Sequence, residues 1–466
     1  MFDNIRSTLK NKEMMRNILR LAWPTMLEEA LQVIVIYADT AQVGVMGANA
    51  SAAIGLTTTV TWMTFYPLYA AGMSVMSCIS IALGAKDHDR AKRAASQAVL
   101  LAVILGVFIM TVTLAVSPFL PRWLGGAEEI RHDASVYFAV ICTPMLFRAA
   151  NIILGSALRA TGNTKTPMLI STLMNGVNIF LNFLFISPTR RVTFLGSSFT
   201  VWGAGWGVAG AAIASAISLS LGGVLMTAAA WRSPVLGLTL KGIRLDRDVM
   251  AQCVRVGLPI AGERVLFSFG QVVFTAITAR LGTVAMAAHS IALNAEQAFY
   301  IPGYGMQTAA ATLAGYSAGE KSEKRLMQYC STIMFLATVL MTALSAALFL
   351  FAEPIMSIFT PDGAVVALGG LALRIVAVSE PFFAVLVILE GIFSGLGDTK
   401  APFFFSLFSM WGVRVTSTWL CVTVLHLGLG AVWACMAIDN MTRFALMMTR
   451  FLRGKWKTRL GLTASS

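Results

Sequence analysis

The hexapeptide GNTKTP at residues 162–167 recurs as GDTKAP at residues 397–402, and the two copies are 235 positions apart. Each copy separates two long apolar segments, which is typical of a polar connection between two helices. The same offset relates Pro24 to Pro259, Glu28 to Glu263, Gly47 to Gly282, Pro67 to Pro302, Gly84 to Gly319 and Lys86 to Lys321. Three proline coincidences at one offset far exceed chance for a chain with 14 prolines, so the chain contains an internal repeat.

The composition of the chain indicates a membrane protein. Of its 466 residues, 57% are hydrophobic and 12% are charged, whereas soluble domains are about 25% charged. A soluble enzyme of this length would need a polar surface that these residues cannot supply. The apolar segments are also too long for barrel strands and lack their alternating pattern, so the sequence predicts an all-α membrane protein.

Long apolar segments separated by Gly, Pro and charged residues predict twelve transmembrane helices. Their expected positions are 17–43, 52–82, 94–118, 134–158, 166–187, 203–231, 251–280, 284–316, 327–351, 366–393, 402–426 and 430–450. Six helices per repeat give both repeats the same orientation, so two parallel six-helix lobes are expected. We expect an N-lobe at residues 1–231, a cytoplasmic linker at 232–255, and a C-lobe at 256–466 with a short cytoplasmic tail.

The distribution of basic residues predicts the orientation of these helices. Most of the 35 Lys and Arg residues lie at the termini and in every second connection, whereas the opposite connections contain Arg122, Arg131, Arg190 and Arg191. Because basic loops stay in the cytoplasm, both termini are expected to be cytoplasmic in a plasma membrane. The net charge of +13 is then explained by topology and lipid headgroups, so membrane lipids are expected partners and nucleic acid is not.

Two acidic residues on the first predicted helix are candidates for ion coupling. Asp39 follows Glu28 by 11 residues, which is three helical turns, so both carboxylates share one face about 16 Å apart. An ionisable side chain within the bilayer is costly and commonly has a function or a partner. Pro24 on the same helix removes one backbone hydrogen bond, which permits the helix to bend.

The fifth predicted helix carries a polar stripe of amides, Asn175, Asn178 and Asn182, at spacings of three and four residues. Together with Asp39, their oxygens would form a site suited to Na⁺, or a set of hydrogen bonds around a protonatable carboxyl group. The alternative is a structural polar cluster that holds helices together.

The second half of the chain contains further polar candidates within its predicted helices. They are Glu263, His289, Glu296, Tyr300 and Glu390. His289, Glu296 and Tyr300 share one face of the eighth helix, although a lone His there is commonly a core residue. Glu263 is followed by Arg264, so an ion pair or a structural role fits the sequence as well as transport does. The acidic residues expected to be peripheral, near helix ends or on another face, are Glu29, Glu380 and Asp439, and Arg414 is a candidate to neutralise one of them.

The chain is not expected to be an enzyme. It has neither a Walker A sequence nor His-Glu-x-x-His, so ATP-driven pumping and zinc hydrolysis are not predicted. No cofactor is expected other than a coupling ion, which is H⁺ or Na⁺.

Four segments of the chain resemble the MATE (multidrug and toxic compound extrusion) family of transporters. They are LAWPTMLEEALQVIVIYADTAQVGVMGANASAAIGL (21–56), ALRATGNTKTPM (157–168), GLPIAGERVLFSFGQVVFTAITARLGTVAMAAHSIALNAEQ (257–297) and GIFSGLGDTKAPF (391–403). The resemblance extends over nearly the whole chain. It implies twelve helices in two lobes that form a V, and cation-coupled export of organic, often cationic, drugs across a prokaryotic cytoplasmic membrane.

The resemblance also implies roles for individual residues. The first-helix Asp of prokaryotic members falls on Asp39, and the Pro at which that helix bends falls on Pro24. The fifth-helix pattern Asn-x3-Asp falls on Asn178 and Asn182, so this chain has Asn where the family has Asp and lacks one negative charge. A hydroxyl ligand on the sixth helix falls on Ser215. A Na⁺ site formed by these residues is one of the two alternatives for coupling.

The sequence therefore predicts a monomeric multidrug antiporter that is driven by H⁺ or Na⁺ and works by alternating access. Because residue 182 is Asn and not an acid, the site has less negative charge and binds Na⁺ more weakly. This favours H⁺ as the coupling ion, with Asp39 alternating between its charged and neutral forms. The main alternative is a flippase for lipid-linked precursors with a related architecture. Such flippases often have extra helices and a cationic cavity, whereas the candidates here are mostly acidic, which favours cationic substrates.

Overall fold

The structure is a computed structural model that describes residues 11–44, 46–194, 197–454 and 456–457. Its α-helices are α1 (Lys12–Gly44), α2 (Ala48–Gly84), α3 (His88–Val116), α4 (Leu120–Trp123), α5 (Glu128–Cys142), α6 (Met145–Ala160), α7 (Lys165–Phe185), α8 (Gly207–Trp231), α9 (Arg247–Thr278), α10 (Thr283–Gly319), α11 (Glu323–Leu350), α12 (Ala352–Phe359), α13 (Gly363–Ala377), α14 (Glu380–Gly395), α15 (Lys400–Leu407), α16 (Thr416–Trp419) and α17 (Leu429–Arg453). The other elements are strands β1 (Pro188–Phe194) and β2 (Ser197–Ala204), 3₁₀ helices at Leu240–Gly242 and Ala279–Leu281, and π-helical segments at Phe408–Val415 and Leu420–Val424. The basic residues near the termini that lie outside the described residues are Arg6, Lys10, Lys455 and Arg459.

Helices occupy all twelve positions expected from the sequence. At the fourth position α5 and α6 are bent by 47°, and at the tenth α13 and α14 are bent by 57°. The breaks fall at residues 143–144 and 378–379, which are again 235 apart. Six helices of the described residues are long and apolar enough to cross a membrane, or up to eight when each bent pair counts as one span. The helical character is confirmed, and the number of twelve spans stays a prediction.

A strand hairpin departs from the expected all-helical chain. β1 and β2 pair antiparallel, with Arg190 opposite Val201 and an irregularity next to Pro188. The segments TRRVTF and SSFTVW contain β-branched and aromatic residues, which favour strands. Pro188 is the first residue of β1, a position where proline is tolerated. The hairpin does not stand out as a long apolar run because it is short and partly polar.

The described chain divides into two compact units. The N-terminal unit contains residues 31–75 and 88–253, and the C-terminal unit contains residues up to Ala30, residues 76–87 and the residues from Val254 onward. The boundary between Cys253 and Val254 falls inside the predicted linker. The predicted lobe boundaries themselves stay a prediction.

Small residues bring the helices of the N-terminal unit close together. Gly223 of α8 faces the backbone of Phe147 in α6, where a Cβ atom would not fit. The adjacent Gly222 packs against the side chain of Met174 in α7. Because helices in lipid associate through close contacts at small residues, these glycines place α8 against both α6 and α7.

Glycines also bring helices of the C-terminal unit close together. Gly391 and Gly395 of α14 face the carbonyl groups of Gln307 and Ala311 in α10. Large apolar side chains remain outside, and Phe404 is 61% exposed. Such an apolar surface is expected where a helix faces lipid.

Unusual backbone conformations recur at the offset of the sequence repeat. Gly47 and Gly282 have φ angles of 101° and 96°, and Lys86 and Lys321 have φ angles of 58° and 53°. Left-handed backbone is unfavourable for a lysine, so its occurrence at both matching positions is informative. These angles support the internal repeat independently of residue identity.

The ends of α2 and α10 meet at two glycines in a reciprocal contact. A Cβ atom on Gly84 would collide with the carbonyl oxygen of Tyr316, and one on Gly319 would collide with the carbonyl oxygen of Ile81. Ile81 and Tyr316 also match in the repeat. Each helix therefore presents the same groups to the other.

We expect Gly84→Ala to lower the melting temperature of the purified protein in detergent. The new methyl group would overlap backbone atoms, which cannot rotate away, and overpacking of this kind costs about 1–3 kcal/mol. Gly55→Ala in the same helix is the matched control, because no atom lies within 4 Å of a Cβ atom there. The control should be neutral or stabilising by up to about 1 kcal/mol. Equal melting temperatures for the two variants would contradict the reciprocal contact.

Candidate functional site

A chain of hydrogen bonds joins the predicted N-lobe residues within the N-terminal unit. Asn182 Nδ2 donates to Asp39 Oδ1 over 2.7 Å and to Asn178 Oδ1 over 3.3 Å. Asn178 Nδ2 donates to Ser215 Oγ over 3.1 Å and to Ser218 Oγ over 3.3 Å. Helices α1, α7 and α8 thus bring together the amide stripe, the first-helix acid and the sixth-helix hydroxyl.

The helical period explains this alignment. Asn178 and Asn182 are four residues apart in α7, so their side chains share one face. Asn182 is 1% exposed, and a buried amide requires partners. Its Oδ1 nevertheless has no hydrogen-bond partner among the described residues. An unpaired buried oxygen beside the Asp39 carboxylate is a group that can bind a cation.

Four of the hydrogen-bonded residues, Asp39, Asn178, Ser215 and Ser218, form part of the wall of a cavity of about 260 Å³. Besides Asp39 and Asn178, the wall includes Thr61, Trp62 and Tyr137. Pockets for drug-sized molecules span roughly 300–1,000 Å³. The cavity therefore suits a compact organic compound or one end of a larger one.

Arg148 is a cavity residue that the sequence analysis missed. It lies in the first turn of α6, lines the cavity together with Asp39, and is 5.8 Å from the centroid of the Phe65 ring. Among the described residues that line the cavity, Asp39 is the one acid and Arg148 is the one base. The available signal was an arginine inside a predicted span, which by itself indicates a functional group.

Glu28 and Pro24 do not line this cavity. Glu28 is 4% exposed and belongs to the C-terminal unit. Helix α1 continues through Pro24 without a break, and the next residue, Thr25, donates its hydroxyl proton to the Gly305 carbonyl over 2.7 Å. The proline segment is thereby attached to α10, and its role in bending stays a prediction.

Glu263 and Glu390 lie in a polar cluster of the C-terminal unit. Glu390 is 3.6 Å from Arg264 and 3.9 Å from Arg443, measured between nitrogen and oxygen. It is therefore ion-paired, although the sequence suggested no partner for it. Glu263 Oε1 accepts a hydrogen bond of 2.6 Å from Ser406 Oγ.

A buried ion-pair network extends this cluster around Asp439. Arg414 and Arg443 approach the Asp439 carboxylate to 2.6 Å and 3.4 Å. Asn440 Oδ1 accepts hydrogen bonds from both arginines over 3.3 Å and 3.1 Å. The expectation that Asp439 is peripheral is wrong, because its side chain is 0% exposed. A buried carboxylate needs such partners. Arg443 lies one helical turn after Asp439 on α17, whereas Arg414 comes from the π-helical segment Phe408–Val415.

Glu296 and Tyr300 form a second cluster on α10. The Tyr300 hydroxyl donates to Glu296 Oε1, as their spacing of one helical turn predicts. Glu380 of α14 interacts electrostatically with Glu296. Glu380 was also expected to be peripheral, but it is 1% exposed, and neither of its carboxylate oxygens has a hydrogen-bond partner among the described residues.

His289 is a core residue that is separate from this pair. It is fully buried, and its ring contacts Phe274 at 5.5 Å and Trp433 at 5.8 Å in edge-on geometry. Neither ring nitrogen has a hydrogen-bond partner among the described residues. Of the two interpretations that the sequence left open, the contacts favour packing.

Comparison with protein families identifies one model, described as MatE, that matches residues 24–184 and 259–420. The two matched segments begin 235 residues apart. A similar protein, named "Probable multidrug resistance protein NorM" in Thermotoga maritima, is 29% identical over 464 residues, which cover 99% of this chain and 97% of the relative.

Solved structures share the fold. A MATE structure in a bent conformation has a TM-score of 0.86 at 24% identity and covers 100% of this chain and 99% of its own. A transporter of the MOP superfamily from Pyrococcus furiosus has a TM-score of 0.84 at 25% identity, and the match covers 97% of each chain.

Proposed function

The chain belongs to the MatE family of multi-pass membrane transporters, and on this premise we propose that it is a cation-coupled multidrug antiporter. Its substrates are small organic compounds, including organic cations, and its coupling ion is H⁺ or Na⁺. The proposal includes twelve transmembrane helices in two parallel six-helix lobes, at residues 1–231 and 256–466. The monomer is placed in a prokaryotic cytoplasmic membrane with both termini in the cytoplasm.

One observation carries the proposal: the Asp39 carboxylate lines the cavity and is held by Asn182 over 2.7 Å. When Asp39 is negatively charged, it attracts a cationic substrate. When it binds the coupling ion, the charge is neutralised and the attraction to substrate falls. This difference in affinity between two states of one group is what exchange of ion for substrate requires.

The identity of the coupling ion depends on the other oxygens near Asp39. Asn178 Oδ1, Asn182 Oδ1 and Ser215 Oγ are neutral oxygens that suit Na⁺ as additional ligands. With Asp39 as the one acid among the described lining residues, the site carries a single negative charge. This favours H⁺, which needs one carboxylate and no further ligands.

Two assays, performed one after the other, test the proposal. Drug resistance and dye efflux are measured in a host without its own pumps, where export of organic cations is expected. Dye efflux from proteoliposomes under an imposed ΔpH alone or ΔNa⁺ alone then identifies the ion, and ΔpH is expected to drive it. Failure to export any organic cation would contradict the export function.

The flippase alternative is favoured by Arg148, because a cationic cavity suits the phosphates of a lipid-linked precursor. A single arginine in a cavity that also contains Asp39 makes a weaker anion site than several cations would. Depletion of the protein would cause accumulation of lipid-linked precursors if this alternative were correct, and no such accumulation is expected.

We expect Asn182→Asp to make efflux respond to Na⁺. The substitution adds a second carboxylate next to Asp39 and restores the Asn-x3-Asp pattern of the family, which raises the charge of the site and its affinity for Na⁺. Efflux by the variant and the wild type is compared under ΔNa⁺ at equal pH on both sides. Asn151→Asp, on the neighbouring helix α6 and away from the Asp39–Asn182 hydrogen bond, is the control. An unchanged Na⁺ response in Asn182→Asp would mean that residue 182 does not contribute to ion binding.

A further inference from the structure

The Arg148 guanidinium is a cation without a counter-ion in the described part of the chain. It has no ion pair or hydrogen bond there, and its contact is the ring face of Phe65. The arginines inside the C-terminal unit differ, because Arg264, Arg414 and Arg443 each approach a carboxylate. Arg148 instead borders the cavity, which is where a ligand could supply the missing negative charge.

The position of Arg148 in its helix increases the local positive potential. It lies in the first turn of α6, just after the bend from α5, and Pro144 at the helix start provides no side-chain cap. The start of a helix is the positive end of its dipole and favours anions. The dipole therefore adds to the charge of Arg148 and does not compensate it.

The fold does not require an arginine at this position. The residue 235 positions later is Phe383, which follows the equivalent bend and is 8% exposed in the hydrophobic core of the C-terminal unit. The bend thus accepts an apolar side chain. An unpaired charge inside a membrane span is costly, so its presence at residue 148 indicates a binding role.

We propose that Arg148 determines substrate specificity by binding the carboxylate of zwitterionic compounds, whose cationic end faces Asp39. The inference rests on the proposed export function and names the residue that selects among substrates of the same cavity. A zwitterion satisfies both charges of the cavity, whereas a simple cation leaves Arg148 unpaired. Unpaired charge in a binding site reduces affinity.

The cavity wall also suits the body of such a compound. Trp62 and Tyr137 line the cavity, and Trp62 contacts Phe65 edge-on at 5.8 Å. Tyr137 lines the same cavity as Asp39 and Arg148. Aromatic faces here favour planar ring systems.

Two dyes that differ at one group test this inference. Rhodamine 110 carries a free carboxylate and is zwitterionic, and rhodamine 123 is its cationic methyl ester. Efflux kinetics for both are measured in the wild type, Arg148→Gln, Arg148→Lys and Arg122→Gln. Arg122 is an exposed arginine of the same unit, so its variant removes the same charge outside the cavity. Binding of both dyes to the purified proteins is measured by fluorescence anisotropy.

We expect Arg148→Gln to raise the ratio of the KM for rhodamine 110 to the KM for rhodamine 123 by about tenfold or more. A change of this size corresponds to the loss of one charge-assisted hydrogen bond. Arg148→Lys should keep part of the preference, and Arg122→Gln should keep all of it. An unchanged ratio in Arg148→Gln would overturn the inference. So would wild-type protein that exports rhodamine 123 but neither binds nor exports rhodamine 110, and the export function would then still stand. If neither dye is exported, the drug-resistance and efflux assays with other organic cations decide the export function, and the ratio of binding affinities for the two dyes in the wild type, Arg148→Gln and Arg148→Lys still decides the role of Arg148.

Discussion

Asp39→Asn is expected to reduce gradient-driven efflux to the level of liposomes without protein. Asparagine has nearly the same volume and still accepts the hydrogen bond that Asn182 Nδ2 donates over 2.7 Å, so the fold should be retained. The amide binds neither a proton nor Na⁺ as a carboxylate does. The ion can then no longer change the affinity for substrate, and exchange stops. Efflux is measured in proteoliposomes under ΔpH and ΔNa⁺, and the melting temperature reports folding.

Asp133→Asn is the matched control for this variant. Asp133 is an exposed acid on α5 of the same unit, so the substitution removes an equal charge away from the cavity and should pump at the wild-type rate. If Asp39→Asn also pumps at that rate, Asp39 is not the coupling group. Coupling would then belong to the C-terminal unit, where Glu263, Glu296 and Glu390 are the candidates.

Arg414→Leu is expected to cause the largest loss of stability. Arg414 is 4% exposed at its side chain and lies 2.6 Å from the fully buried Asp439 carboxylate. Removing one partner of a buried ion pair costs about 3–5 kcal/mol, because the other charge remains buried. Thermal unfolding in detergent should show a melting temperature well below that of the wild type.

An exposed ion pair of the same unit provides the comparison. Arg374 and Glu353 lie 3.0 Å apart, but their side chains are 40% and 50% exposed. Arg374→Leu should therefore cost no more than about 1 kcal/mol. The double variant Arg414→Leu/Asp439→Leu should be more stable than Arg414→Leu alone, since no carboxylate is then left without its closest partner. Equal losses for Arg414→Leu and Arg374→Leu would show that burial does not govern this network.

The N-terminal unit's polar site was largely predictable because its members follow local rules. Asn178 and Asn182 are one helical turn apart, so their shared face was readable from spacing alone. Asp39 could be added because an acid within an apolar helix needs partners. The structure places it beside Asn182, as the amide stripe suggested. The family resemblance, and not spacing, indicated Ser215.

The remaining features depend on contacts between distant segments. Nothing near Glu390 in sequence identifies Arg264 and Arg443 as its partners, since they lie on α9 and α17. Arg148 was visible as a charge in a span, but only the packing of α6 shows that it faces the cavity. The expectation of a mostly acidic cavity therefore does not hold for the N-terminal unit, whose described lining has one charge of each sign.

The crossing of α2 and α10 at Gly84 and Gly319 is an isologous contact within one polypeptide. Each side supplies the same glycine and the same carbonyl, as two subunits do across the interface of a C2 dimer. A larger side chain on one surface can be accommodated only if the facing surface recedes, and that surface is constrained by its own glycine. Because each glycine faces a backbone carbonyl that no substitution can make smaller, neither position accepts a larger residue, which accounts for matching glycines in two halves whose other residues mostly differ.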